Sequence, residues 1–394
     1  MHLRLRSNVL AFHDLGWQVE VVLLGNEGTA PEWAKIPGLD WTIEPFNKSS
    51  THFLAGVLGK LEYRLGYPGE AACRYMFQKH DAVREAVAKR SGQGNLHFFE
   101  GLPIANALPF LGGDKVIFSH HDIWHEGNLS TMQAHHEIEK RSLQKHEVRQ
   151  LRFLKRIEAR LCQKSDSVLT ISARDCNTLR GEGWENIDYL PMSVDESEPM
   201  RRAAPDDGFF RILHLGRIGH LPSYRSLEFL LQDVFPLLGQ ETLSKIRMRV
   251  VGKAESDNPL VKRILKLREH FVAQVELVGY VSNISDEFAG NDVQVVVPTA
   301  ASGLQTRIVE SFARGLPVIA TEMAARGLED PCNRRDLLIV KTAQEVADVI
   351  TEIAPNKSVL NELVNGGLEY YERRHSRKHV AERLRLHLSR LNPT

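Results

Sequence analysis

Cysteine is scarce in this chain. Four residues, Cys73, Cys162, Cys176 and Cys332, are spread over 394 positions and form no C-x-x-C pair. That pattern excludes a disulfide framework and fits reduced thiols in a cytosolic protein. Long hydrophobic runs are missing too: nothing reaches the ~18 uncharged apolar residues that a membrane span needs. The opening MHLRLRSNVLAF lacks an apolar h-region and a cleavage site, so a cytoplasmic location is expected. Net charge is absent, since 50 basic residues cancel 50 acidic ones. No global electrostatic pull toward nucleic acid remains. No G-x-G-x-x-G follows a strand pattern, which weakens a nicotinamide or flavin reading. His120, His121, His125, His135 and His136 do not make a metal motif, because H-E-I-E-K is not H-E-x-x-H and no cysteine lies near. No metal and no cofactor is expected.

What is present is an ordinary globular composition, 42% hydrophobic and 25% charged, able to bury a core. The length suggests two domains. Apolar strand candidates in the first half are Val19–Leu24, Leu96–Phe99, Val116–Phe118, Ser167–Ile171 and Ile187–Leu190. The second half offers Arg211–Leu215, Met248–Val251, Val275–Val278, Val293–Val297, Val318–Ala320 and Leu337–Val340. Helical patterns separate most of them, one from Arg225 to Leu238 and one unusually long, from about Gln133 to Lys164. Alternating strands and helices predict two doubly wound α/β domains. The polar, proline-containing stretch 196–208 reads as the linker. One oddity stands at the start. Residues 3–15 already read as a helix, so the strand and Gly-rich turn that normally open such a domain are missing from the pattern.

The richest stretch is VQVVVPTAASGLQTRIVESFARGLPVIAT, residues 293–321. It reads as strand, small loop, helix from about Gln305 to Arg314, and strand, which is one βαβ unit. The loop lies at the carboxyl end of its strand, where open α/β sheets bind ligands. Free N–H groups at the helix start favour an anion. Arg307 in the first turn opposes the helix dipole by ~0.3–1 kcal/mol. Either a bound phosphate offsets that, or the side chain points into water. Glu310, one turn on, either accepts from a sugar diol or pairs on the surface with Arg307 or Arg314.

At these residues the chain resembles glycosyltransferase family 4, whose architecture is called GT-B. The likeness covers nearly the whole chain and is strongest from Arg211 to Leu328. HLGRIGHLPSYRSLEFLLQDVFPLL (214–238) is similar to the first strand, loop and helix of that family's donor domain, and 275–328 to its nucleotide-sugar site. LPMSVD (190–195) resembles the approach to the linker, and RKHVAERLRLHLSRL the helix that crosses back to the N-terminal domain.

The resemblance implies two Rossmann-like domains facing a cleft: 1–198 on the acceptor side, 199–372 binding the nucleotide sugar, and 373–394 as the returning helix, with the first N-terminal strand apparently missing. It implies that Gly279, Tyr280 and Val281 present backbone to the base. Gly303, Leu304, Gln305 and Thr306 would wrap the diphosphate, aided by Arg307, with Gly216 and Arg217 approaching from another loop. Glu310 matches the second glutamate of the family's E-x7-E pattern and would hold the ribose. The first glutamate falls on Ser302, so a sugar-hydroxyl contact is lost or supplied otherwise. A basic residue expected five places after Arg217 falls on Pro222, with Arg225 as a substitute.

His121 and Asp122, in FSHHDIWHE, would lie beside the reacting sugar as proton handler and orienting group; a polar strand end and helix cap is the competing reading. No Asp-x-Asp occurs, which argues against the metal-dependent type. The implied reaction moves a hexosyl unit from a UDP- or GDP-sugar to a glycan or lipid-linked acceptor with retention of configuration. Between Lys140 and Lys164 nine Lys or Arg and two Glu leave a net +7, either a solvated face or a contact with anionic membrane on the inner face of the plasma membrane. Two other readings remain: a nucleotide-sugar 2-epimerase, and a degenerate GT-B protein that binds without catalysis.

Overall fold

The computed structural model describes residues 2–25, 39–45, 53–92, 95–110, 114–194, 204–205, 207–298, 303–356 and 358–391. The linker expected at 196–208, and with it the 198/199 boundary, falls largely outside them. Two compact units are present: Met1–His136, Lys140–Ser193 and Arg377–Thr394 in the first, and Glu137–Glu139 with Val194–Ser376 in the second.

The strands, in chain order, are β1 Glu20–Gly25, β2 Asp40–Pro45, β3 Leu96–Glu100, β4 Lys115–His120, β5 Ser167–Thr170, β6 Ile187–Tyr189, β7 Phe210–Leu215, β8 Ile246–Val251, β9 Val275–Gly279, β10 Val293–Val296, β11 Val318–Thr321 and β12 Leu338–Val340. The second unit carries one six-stranded sheet in the order β12-β11-β10-β7-β8-β9. Every pairing in it is parallel. Numbered from β7, this is the doubly wound order, and its direction reverses between β7 and β10. All of β10 is buried, as expected of a strand covered on both faces. Even Gln294 is fully inside, where its amide oxygen accepts from Ser311 Oγ. The helix predicted at 225–238 begins earlier, at Leu221, with Pro222 in its first turn, widens into a π-turn at Leu230–Val234 and ends in a 3-10 turn at Phe235–Leu237.

The first unit holds a four-stranded parallel sheet, β3-β4-β5-β6, and a separate parallel pair, β1-β2. Among the described residues no strand joins β1 to β3. The N-terminal helix His2–Asp14 and the last helix Arg377–Leu391 pack together on the larger sheet. Ala11, Phe12, Val380 and Leu384 meet Ile117, Leu169 and Leu190 there, and Arg377 closes the pair with a 2.5 Å contact to Asp14.

The long basic helix predicted over 133–164 is two helices, Trp124–Glu139 and Lys145–Lys164. Lys140 takes a left-handed conformation (φ 51°) and stops the first. A capping box between Gln144 and Glu147 starts the second. Strand β2 went unpredicted because DWTIEP has only two large apolar residues and ends in proline. No helix among the described residues is long and apolar enough to cross a membrane.

Candidate functional site

In the second unit the chain arranges four loops at the carboxyl ends of neighbouring strands. Gly216 follows β7, Gly252 follows β8, Gly279 closes β9, and the loop to Gly303 follows β10. Backbone bonds tie the first three together: Gly216 N donates to Val251 O at 2.9 Å, and Gly252 N donates to Gly279 O at 2.8 Å. Glycine is required at 252, where φ is 149° and a Cβ would collide with the Gly216 carbonyl. Gly216 itself (φ 152°) leaves room that a Cβ would take from Ser223 Oγ and Arg307 Nη1. The three loops can therefore approach one another, and whatever lies over β7 and β10, only because these side chains are absent.

The helix after β10 runs Thr306–Ala313, and no side chain caps its start. Among the described residues the backbone N–H groups of Gly303 to Arg307 donate to nothing. Ser302, predicted to stand in for a sugar contact, lies outside the described residues. Arg307 does not point into water. Its Nη1 donates to Leu215 O at 2.6 Å, so the guanidinium reaches the end of β7 beside Gly216. No carboxylate lies within 4 Å of it among the described residues, and burial lowers its pKa. Glu310 makes no ion pair there either. Burial raises its pKa, against the pull of Arg314 and Arg307. Arg314 instead donates to the Glu310 backbone carbonyl and stacks on Phe288.

Other predicted positions are brought to the same sheet edge. Arg217 is there, held by Glu255 at 2.8 Å, which Lys253 also approaches at 3.3 Å. Arg225 is engaged by Glu228 at 2.7 Å. Tyr280 stands out at 81% exposed, and Val281 packs on the small cluster of Leu213, Val251, Phe288 and Leu316. The sequence reading missed His220. Its pKa is lowered by burial, then by the charges of Arg307 and Arg217. The signal was visible as a histidine three places after Arg217.

The first unit holds a second polar constellation at the ends of β3 and β4. His121 Nε2 lies 2.5 Å from Glu100 Oε2, and Asn8 Nδ2 donates to the other oxygen of Glu100. Burial opposes ionisation of Glu100, yet His121, Arg4 and Asn8 hold its pKa below the usual value. Next along the chain, Glu158 receives Trp124 N at 2.5 Å and His125 N at 3.2 Å, capping that helix. His125 Nδ1 (2.7 Å) and His120 Nε2 (3.3 Å) flank the same carboxylate. Burial works against its charge, but these partners keep its pKa near about 2. Asp175, by contrast, is pushed up to about 6 by burial. Asp122 is half-buried between these groups in sequence. Glu100, Asn8 and Glu158 were not singled out in the sequence, since nothing local links them to His121 or His125.

Residues 210–356 match the family model described as glycosyl transferases group 1. A comparison with curated protein sequences finds no match. Among solved structures, sucrose-phosphate synthase from Thermosynechococcus elongatus is similar over 99% of this chain and 92% of its own, with 16% identity and a TM-score of 0.69. HepE from Anabaena, crystallised with UDP and glucose, is similar over 98% of this chain and 95% of its own, at 14% identity and a TM-score of 0.63. TarM from S. aureus is similar over 79% of this chain at 13% identity and a TM-score of 0.59, and the chain spans 58% of TarM's length. These likenesses show the GT-B fold, as the resemblance in the sequence implied.

Proposed function

We propose that this protein is a glycosyltransferase that moves a hexosyl unit from a nucleoside-diphosphate sugar to an acceptor hydroxyl, with retention of configuration and without a metal. The observation that carries this reading is the switch point between β7 and β10. There, among the described residues, uncapped amides from Gly303 to Arg307, an Arg307 guanidinium without a carboxylate partner, and an ion-pair-free Glu310 share one short helix. Amides and a cation complement a diphosphate. A carboxylate one turn further complements a diol. Stabilising the departing nucleoside diphosphate is the main electrostatic task of such a transfer. HepE's complex with UDP and glucose makes UDP-glucose the first donor to test.

In this proposal Gly216, Gly279, Tyr280 and Val281 frame the nucleotide by backbone, while His121 and Asp122 act next to the reacting carbon. Arg217 joins them once it leaves Glu255. A lipid-linked acceptor is the least supported part. Arg156 and Arg160 of the basic helix already donate to backbone carbonyls at Leu65, Gly66 and Pro68. Failure to sediment with anionic vesicles at moderate salt ends it.

The test is calorimetry with UDP and GDP, followed by turnover with the matching sugar nucleotides. Glu310→Ala should weaken donor binding at least tenfold; an unchanged dissociation constant refutes the donor site. A binding-only reading is favoured by one observation, the capture of Arg217 by Glu255. Tight nucleotide binding with no turnover against any acceptor would support it.

A further inference from the structure

In the second unit the loops after β7 and β8 are clasped together. Gly216 N donates to Val251 O at 2.9 Å, and two residues on, Ile218 N donates to Lys253 O at 3.1 Å. Gly219 completes the clasp, because a Cβ there would stand 2.7 Å from Asn258 Nδ2. Arg217 and Lys253 therefore leave neighbouring, fixed stretches of backbone. Their side chains meet at one oxygen: Glu255 Oε1 lies 2.8 Å from Arg217 Nη2 and 3.3 Å from Lys253 Nζ. We propose that Lys253 joins Arg217 in gripping the donor's diphosphate, and that Glu255 occupies this cation pair as an internal competitor until the diphosphate displaces it. This extends the donor-site reading above, on which it rests.

Location comes first. Both loops stand at the carboxyl ends of neighbouring strands, in the sheet whose switch point carries Arg307. His220, three residues after Arg217, feels the charges of both Arg307 and Arg217, which ties the cation pair to the pocket of the uncapped amides. The weakness of the present hold comes next. Arg217 is 58% exposed and Lys253 66%. Water screens contacts of that kind, so giving them up costs little. A diphosphate brings more charge and more acceptor oxygens than one carboxylate, and it takes donors from several cations at once. The exchange therefore runs toward the diphosphate.

The rival cation is already committed. Arg225, expected from the sequence as the second phosphate-binding cation, is 23% exposed and is held by Glu228 at 2.7 Å and by Glu137 at 2.6 Å. Recruiting it breaks two ion pairs, whereas Lys253 gives up one long contact. Glu255 has a further consequence. After displacement it stays on the same loop, where its charge repels the incoming anion. Removing that charge strengthens binding. The sign of this effect separates a competitor from a carboxylate that merely orients its two cations.

The experiment is calorimetry on the whole chain, with UDP and with pyrophosphate as the second probe. Lys253→Met should weaken both roughly tenfold and leave the Tm of the unliganded protein unchanged, while Lys253→Arg restores binding. Glu255→Gln should tighten UDP roughly threefold, and that gain should shrink when Lys253→Met is added. Lys245→Met removes the same charge at the amino end of β8, the opposite edge of the sheet; a loss there equal to that of Lys253→Met makes the effect one of net charge and overturns the proposal. Native affinity in Lys253→Met, with the loss appearing in Arg225→Met instead, overturns it and leaves the donor site standing. Unchanged or weaker UDP binding in Glu255→Gln overturns the competitor role. Binding of neither probe by the native protein removes the donor site and this proposal together.

Discussion

Acidification to about pH 4.5 should take about 3 kcal/mol of stability from the second unit through a single side chain, His214. The ring sits on β7 with no solvent exposure. Its Nε2 lies 3.2 Å from Ser226 Oγ, and its Nδ1 has no partner. Burial pushes its pKa down to about 3, and the Arg307 charge adds to the effect. In the unfolded chain the same ring titrates near ~6.5. Across the window between these values the unfolded state binds the proton and the folded state does not. Stability therefore falls as pH falls below ~6.5, and the loss levels off near the folded pKa. Two pH units at ~1.36 kcal/mol each give the figure of about 3, and any folded pKa well below 4.5 yields the same number. Hydrogen exchange of β7 and β10 peptides, with urea unfolding as a second readout, should be run on the native protein and on His214→Gln at three pH values between about 4.5 and 6.5. The native protein should lose about 2 kcal/mol more than the variant across that range, the rest of the loss falling above pH 6.5. Parallel curves would show that the ring takes its proton without unfolding, and the account of a sealed imidazole under the site would fail.

Four further outcomes are expected. Gly252→Ala places a Cβ against the Gly216 carbonyl at a positive φ, so it should destabilise by roughly 2–4 kcal/mol and abolish nucleotide binding, read by thermal shift and calorimetry. Arg307→Met removes a desolvated cation together with one bond to Leu215 O, opposing terms that leave apo stability within about 1 kcal/mol while UDP affinity drops at least tenfold; a large loss of Tm would contradict this. Glu158→Ala strips the cap of the helix Trp124–Glu139 and leaves two histidines facing an empty site, a loss of about 3–5 kcal/mol in the first unit. Lys140→Gly relieves a left-handed lysine and should stabilise by about 0.5–1 kcal/mol, visible as a higher Tm.

The second unit was legible because parallel strands write themselves plainly. FRILHL, IRMRVV, VQVV and VIAT are rich in large apolar residues and bounded by turn residues, and all of them formed strands. Gly315 and Pro317 marked the end of the helix as clearly as the strands marked the sheet. The first unit was less legible because its determinants are tertiary. Glu100 and Asn8 are 92 residues apart and meet only when the N-terminal helix lies on β3. The break at Lys140 is invisible to periodicity, since a lysine in a left-handed conformation carries no compositional mark. Arg307 was placed correctly on its helix, yet neither of its expected destinations included the Leu215 carbonyl, because side-chain reach of that kind depends on the spacing of two strands rather than on helix position.

The local choices that a stable fold would avoid converge on one sheet edge. A helix begins without a side-chain cap. A cation occupies its first turn against the dipole. Two glycines hold φ near 150° so that three loops can press together. A glutamate one turn into the helix is half-buried and, among the described residues, makes no ion pair. Each of these costs about 0.5–2 kcal/mol taken alone, and among the described residues the second unit offsets them only in part, through the bond from Arg307 to Leu215 O and the charges of Arg307 and Arg314 near Glu310. Scattered over a surface they would be tolerated noise. Gathered at the point where a parallel sheet reverses its strand order, they share one possible compensation, an anion that accepts from the amides and the guanidinium together while a hydroxyl-bearing group meets the carboxylate. A nucleoside diphosphate carries both parts at the right separation, about one helical turn or ~5.4 Å. Pyrophosphate alone should therefore recover only part of the stabilisation that UDP gives in a thermal shift, and the missing part should vanish in Glu310→Ala. Equal stabilisation by pyrophosphate and UDP would assign the site to the anion only and leave Glu310 without a ligand.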